Sequence, residues 1–236
     1  MAARASKGYR DRMSQTDADW AAAAENRILD AALPLVASGG WTSRTVDQAA
    51  LKAGLSHADA ALLLPSGPAD LAALLSRRHD RAALHALAAL DPRSLKVRER
   101  IQRGVEARVE AAARDEAAVR RLLGFLALPN HMPLGARLLW DSADALWRWA
   151  GDTATDENHY SKRMILAGVL GPAIALRLSA DRQTADAYVF RRIADVMAFE
   201  KWKAGLPKTD LAMNLAGALG KLRYGLKPRT PAPAAP

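Results

Sequence analysis

The turn-forming residues of this chain gather in clusters that stand far apart. They are Gly39-Gly40, Gly54-Leu55-Ser56, Pro65-Ser66-Gly67-Pro68, Asp91-Pro92, Pro129-Asn130-His131-Met132-Pro133, Gly151-Asp152-Thr153 and Gly205-Leu206-Pro207. Between them, apolar residues recur three and four positions apart, the spacing of one helix face. Alanine and leucine dominate and β-branched residues are few, so little in the chain suits a strand. These features together predict an all-α fold.

The 236 residues are half hydrophobic, enough for a sizeable core. There is no cysteine, which removes disulfides, thiolate nucleophiles and thiolate metal sites. The net charge of +9 directs the chain toward nucleic acid, an anionic membrane or an acidic partner. Residues 1–16 are basic but have no apolar core, so they read as a disordered leader and not as a secretory signal. The uncharged run 164–176 falls short of the ~18 apolar residues of a membrane span, and Pro172 interrupts it.

In chain order, a first helix is expected over 18–38, behind Asp17 as cap, with Ile28, Leu29, Ala32, Leu35 and Val36 as its apolar stripe. Two short helices follow, 44–53 and 57–64, joined by the turn Ala53-Gly54-Leu55-Ser56. A longer helix runs to about residue 90. This order is that of a helix-turn-helix, and it resembles the N-terminal module of the TetR family. The second short helix, His57-Ala58-Asp59-Ala60-Ala61-Leu62-Leu63-Leu64, carries no lysine or arginine. A helix that reads DNA needs side chains that reach phosphates and base edges, so DNA binding through it is not expected.

Helices are then expected over 94–113, 117–128, 134–150, 157–178 and 181–203. Arg93, Arg98, Arg100, Arg103 and Arg108 alternate with Glu99, Glu106 and Glu110, the pattern of a solvated, salt-bridged face. Three of the six tryptophans, Trp140, Trp147 and Trp149, fall on the 134–150 helix. Ala167, Gly168, Gly171, Ala173 and Ala175 make the next helix rich in small residues. Because an interior glycine costs a helix about 1 kcal/mol relative to alanine, the two here imply either close helix approach or room for a ligand. A final segment, 209–226, has an apolar side flanked by lysine and arginine, and the Pro/Ala-rich end reads as a disordered tail.

No catalytic set is present. The helical di-iron pair, the His-Glu-x-x-His zinc motif, phosphate and dinucleotide loops and the nucleophile elbow are all missing. The five histidines lie far apart in sequence. No enzyme, cofactor or metal is therefore expected.

One stretch resembles the ubiquinone-biosynthesis accessory protein family, the ninth member of the COQ set. Its strongest carriers are Ala150-Gly151-Asp152-Thr153-Ala154-Thr155-Asp156, then Asn158, Tyr160, Lys162 and Arg163. Arg192-Ile193-Ala194-Asp195-Val196-Met197, Leu128-Pro129-Asn130 and Pro133-Leu134-Gly135 support it. The resemblance implies a TetR-like helical fold: a leader (1–16), a helix-turn-helix-like module (17–90), a helical body binding ligand and partner (91–205), an amphipathic membrane helix (206–227) and a tail (228–236).

It also implies a homodimeric lipid-binding protein that presents isoprenoid quinone intermediates to a membrane-bound di-iron demethoxyubiquinone hydroxylase; the alternative is a TetR-type regulator. Carried over by position, partner contacts fall on Leu146, Trp149, Asp156, His159, Tyr160 and Arg163. The family commonly has tryptophan where this chain has His159. A lipid cavity, holding quinone intermediate or phospholipid, falls to Trp140, Met164, Ala167, Gly168, Gly171 and Ala175. Contact with anionic membrane falls to Leu211, Leu215, Leu219, Lys221, Leu222 and Arg223. With no transit segment obvious, the expected location is the inner (cytoplasmic) membrane of a bacterium, peripherally bound, with the mitochondrial matrix side as the less favoured alternative.

Overall fold

The computed structural model describes residues 2–153 and 157–204, with side chains described over 19–153 and 159–198. Every regular element among them is helical. They are α1 (Ala2–Gly39), α2 (Ser43–Lys52), α3 (His57–Leu63), α4 (Pro68–Leu87), α5 (Val97–Ala113), α6 (Glu116–Leu126), α7 (Met132–Trp149), α8 (Glu157–Ser179) and α9 (Arg182–Ala204), with one 3-10 turn at Pro92–Ser94. The all-α expectation holds, and α2 to α8 begin and end close to the clusters that predicted them.

The exception is α1, which takes in residues 2–16, set apart above as a leader. Residues 2–17 contain no proline and a single glycine, Gly8, so nothing in them forces a break before Asp17. Downstream, the corners are built as their residues dictate. Gly40 has φ +76° and Gly54 has φ +69°, the left-handed region that a side chain disfavours. Thr42 caps α2 by accepting from the Thr45 amide at 3.2 Å. Ser56 and Asp59 close a capping box on α3: Ser56 Oγ accepts from the Asp59 amide at 3.1 Å, and Asp59 Oδ2 accepts from the Ser56 amide at 3.2 Å. Asp59, which would repel a phosphate, thus has a purely local task.

Residues 1–194 form one compact unit, and Asp195–Pro236 is assigned to a second. The core lies in the first. Ile28, Leu29, Ala32 and Val36 of α1 are fully buried with Ala49 and Ala50 of α2, Leu71 and Leu75 of α4, Val105 of α5 and Leu170 of α8. Full burial of one such leucine or isoleucine is worth about 1.5–3 kcal/mol. Trp41, at the α1–α2 corner, donates its indole N–H to the Ala118 carbonyl of α6 at 3.2 Å and so ties the N-terminal helices to the body. In that body α4 packs on α5, and α7 on α8. Among the described residues no single helix is long and apolar enough to cross a membrane.

Candidate functional site

Two places carry features that a plain helical core does not require: the meeting of α7 with the start of α8, and a cavity beneath it.

At the first, α7 brings Asp144, Trp140 and Trp147 toward the first turns of α8. Arg163 is the organising residue. It is 1% exposed. Its Nε donates to Asp144 Oδ1 at 2.6 Å, and its Nη1 donates to Asp152 Oδ2 and to the His159 carbonyl, each at 3.1 Å. Lys162 donates to the other oxygen of Asp152 at 2.7 Å and lies 5.3 Å from the Trp147 ring centroid. Trp147 in turn donates its indole N–H to the Lys162 carbonyl at 3.1 Å. Burial opposes ionisation of Asp152, but the hydrogen bonds from Lys162 and Arg163 outweigh it and hold its carboxyl below the usual range. A buried arginine shared by two carboxylates fixes the angle at which α8 leaves α7.

Above this network lies an aromatic group. Trp140 is 6.0 Å from Tyr160 and 6.4 Å from His159 between ring centroids, and His159 meets Tyr160 edge-on at 5.1 Å. Tyr160 is 61% and Met164 66% exposed. The structure therefore divides the residues expected at a partner surface. Tyr160 is on the surface, and His159 and Trp149 are half-buried. Leu146 and Arg163 are buried, so they support such a surface from beneath and do not touch what lands on it. Leu146 is occupied at Gly104, where even an added methyl would come within 3.3 Å of it. Asp156 lies outside the described residues.

The second place is a cavity of about 500 Å³ bounded by α4 to α8. Its walls are apolar: Leu122, Leu126, Leu138, Leu139 and Ile174 among others. Ala127, Met132 and Ala136, all exposed, lie at its rim near the α6–α7 turn. Its inner end is polar, formed by Ser76 and His79 of α4 and Arg108 of α5, all buried. Arg108 Nε donates to Asp80 Oδ1 at 2.5 Å and Nη2 to Ser76 Oγ at 3.2 Å. Ser142 of α7 donates to the same Asp80 oxygen at 2.6 Å. His79 Nε2 is 2.8 Å from Asp115 Oδ2. Burial pushes His79 below its ordinary value, against the pull of Asp115 and with help from the Arg108 charge. The hydrogen bond with His79 holds Asp115 low as well. The pair is thus a neutral imidazole donating to a carboxylate.

Of the residues expected to wall a cavity, Gly171 does so. There α7 and α8 approach closely, and a methyl on Gly171 would stand 3.2 Å from Leu139 Cδ1. Met164, Gly168 and Ala175 face outward, Ala167 is half-buried, and Trp140 belongs to the aromatic group. Positions 164, 168, 171 and 175 lie on one stripe of α8; what separates them is the neighbour, since Leu139 of α7 covers Gly171 while Gly168 has open space around it. Leu211, Leu215, Leu219, Lys221, Leu222 and Arg223 lie outside the described residues. Sequence reasoning missed Ser76, His79, Asp80 and Arg108. A signal existed for Arg108, since it lies in register with Ile101, Val105 and Ala112 on the buried face of α5.

Comparison with known proteins places these features. The COQ9 family model matches residues 132–200, which span α7, α8 and most of α9. The protein named "Ubiquinone biosynthesis protein COQ9, mitochondrial" of Bos taurus is 27% identical over 194 residues, 73% of this chain and 57% of its own length. That of Rattus norvegicus is 27% identical over 212 residues, covering 80% and 64%. That of Homo sapiens is 29% identical over 163 residues, covering 61% and 48%. The chain spans about half to two thirds of the length of these relatives. The resemblance read from the sequence is thereby supported. The expected bacterial membrane location is corrected, because the relatives are named mitochondrial; the absence of an obvious transit segment was too weak a basis for it.

Proposed function

We propose, from the COQ9 domain that this chain carries over residues 132–200, that it is a non-enzymatic lipid-binding accessory protein of ubiquinone biosynthesis. The observation that carries the reading is the apolar cavity of about 500 Å³ within the helical body, in the range of small-molecule sites. Its occupant is an isoprenoid quinone intermediate or a phospholipid. The aromatic group of Trp140, His159 and Tyr160 docks the membrane-bound hydroxylase, with the exposed Tyr160 as anchor. His159, at a position where the resemblance implies tryptophan, buries less area and weakens that contact. The segment 206–227, outside the described residues, lies on anionic membrane through its apolar side and flanking basic residues. Two copies associate as a homodimer, and the location is mitochondrial, as the relatives' names indicate.

A TetR-type regulator is not favoured. Leu62 of α3 is 75% exposed, and the helix offers no lysine or arginine to phosphate. The direct test is extraction of the purified full chain followed by lipid mass analysis, with a gel-shift titration on its own upstream DNA alongside. Co-purifying isoprenoid lipid with no shift supports the reading. An empty protein that holds DNA against competitor overturns it. Deleting residues 209–236 should weaken binding to anionic liposomes; unchanged binding removes the membrane helix from the account.

A further inference from the structure

The cavity has an apolar rim and a polar inner end, and that inner end is incomplete. Arg108 is 5% exposed, and two of its nitrogens are engaged by Asp80 and Ser76. Its Nη1 is buried with no hydrogen-bond partner. An unsatisfied buried donor costs about 1–3 kcal/mol, more on a charged group, so a chain that retains one generally has a use for it. We propose that Arg108 Nη1 is the head-group contact of the cavity: it donates to an uncharged acceptor oxygen, a ring carbonyl, of an amphipath bound head inward. The tail then lies along Leu122, Leu126, Leu138 and Leu139 toward the rim at Met132. The proposal rests on the lipid-binding reading of the same cavity and adds orientation and head chemistry to it.

Charge decides between a carbonyl and a carboxylate. The Arg108 guanidinium is already neutralised by Asp80 at 2.5 Å. A second carboxylate, Asp115, is paired with neutral His79 at the same end. An anionic head would compete with Asp80 for the guanidinium and add negative charge near Asp115, while the cations that act on Asp115, Arg78 and Arg114, are not among the cavity's lining residues. A neutral oxygen completes the guanidinium without adding charge.

Three probes of similar size test this on the full chain by calorimetry: hexyl-trimethyl-1,4-benzoquinone, hexyl-trimethylbenzene and hexyl-dimethylbenzoate. The quinone should bind at least tenfold more tightly than the hydrocarbon, and the benzoate more weakly than the quinone. On binding, one quinone carbonyl stretch should shift to lower frequency. Arg108→Met should bring the quinone's affinity down to the hydrocarbon's and abolish that carbonyl shift. Because that variant leaves Asp80 unpaired and can fail to fold, the ligand series on the unaltered chain stands as an independent test. Equal binding of quinone and hydrocarbon overturns the role of Arg108 while leaving the apolar cavity in place. Preference for the benzoate overturns the neutral-head assignment. Failure of all three overturns the lipid-binding reading together with the proposal.

Discussion

Arg163 and Tyr160 lie three residues apart on α8 and do opposite things. Arg163 is buried and holds Asp144, Asp152 and the His159 carbonyl together. Replacing it with methionine removes that bridge but leaves Asp152 with Lys162 and Asp144 with Arg148, so Arg163→Met should lose about 1.5–3 kcal/mol in denaturant unfolding. Tyr160→Ala removes an exposed side chain and should stay within about 0.5 kcal/mol of the unaltered chain in the same measurement. It should nonetheless lose hydroxylase binding in a pull-down. Acid should destabilise the chain in two steps. His79 titrates below its ordinary 6.5 in the folded state, so its contribution is present above that pH and lost as pH falls. Asp115 and Asp152 lie below 3.8, so theirs disappears lower still. Tm should be flat above pH 7, fall below about 6.5 and fall further below about 4. His79→Gln should remove the first decline. Which residues ionise or pair was poorly legible in the sequence. Arg163 and Asp152 were visible only as members of a familiar motif, and their burial depends on how α7 and α8 cross.

The elements were more legible than the residues within them. Caps and breakers act over three or four positions, so α3, bounded by the Ser56–Asp59 box and Leu64, falls almost where its sequence places it. The phase of a helix against its neighbours is not local, and α8 shows the consequence. Its small residues formed one class in the sequence, but the fold separates them: Gly168 is exposed with open space around it, and Gly171 is pressed against Leu139. Pro172 also removes the amide that would have bonded the Gly168 carbonyl, so this turn of α8 already lacks one rung. Gly168→Ala should therefore gain about 0.5–1 kcal/mol from helix propensity alone. Gly171→Ala should gain clearly less or lose stability, since Leu139 must move. Gly171→Leu should reduce ligand uptake by filling the cavity. Paired chemical denaturation curves check the first two.

At the scale of the molecule, the cavity belongs to no single helix. Five helices contribute to it, and its polar end joins residues as distant in sequence as Ser76 and Ser142. The sequence showed an Arg/Glu-rich α5 as a solvated face. In the fold one of those arginines turns inward, because it lies in step with Ile101 and Val105. Among the described residues, the order of the helices and the absence of strands followed from turn spacing, whereas the site followed from packing that no local pattern records. The account depends on that packing leaving room for lipid. Native mass spectrometry of the full chain, purified from a quinone-producing host without added detergent, tests it most directly. A bound species with the mass of an isoprenoid quinone intermediate or phospholipid, released by collisional activation and diminished in Gly171→Leu, is the expected result. A protein that is consistently empty across preparations would contradict the account.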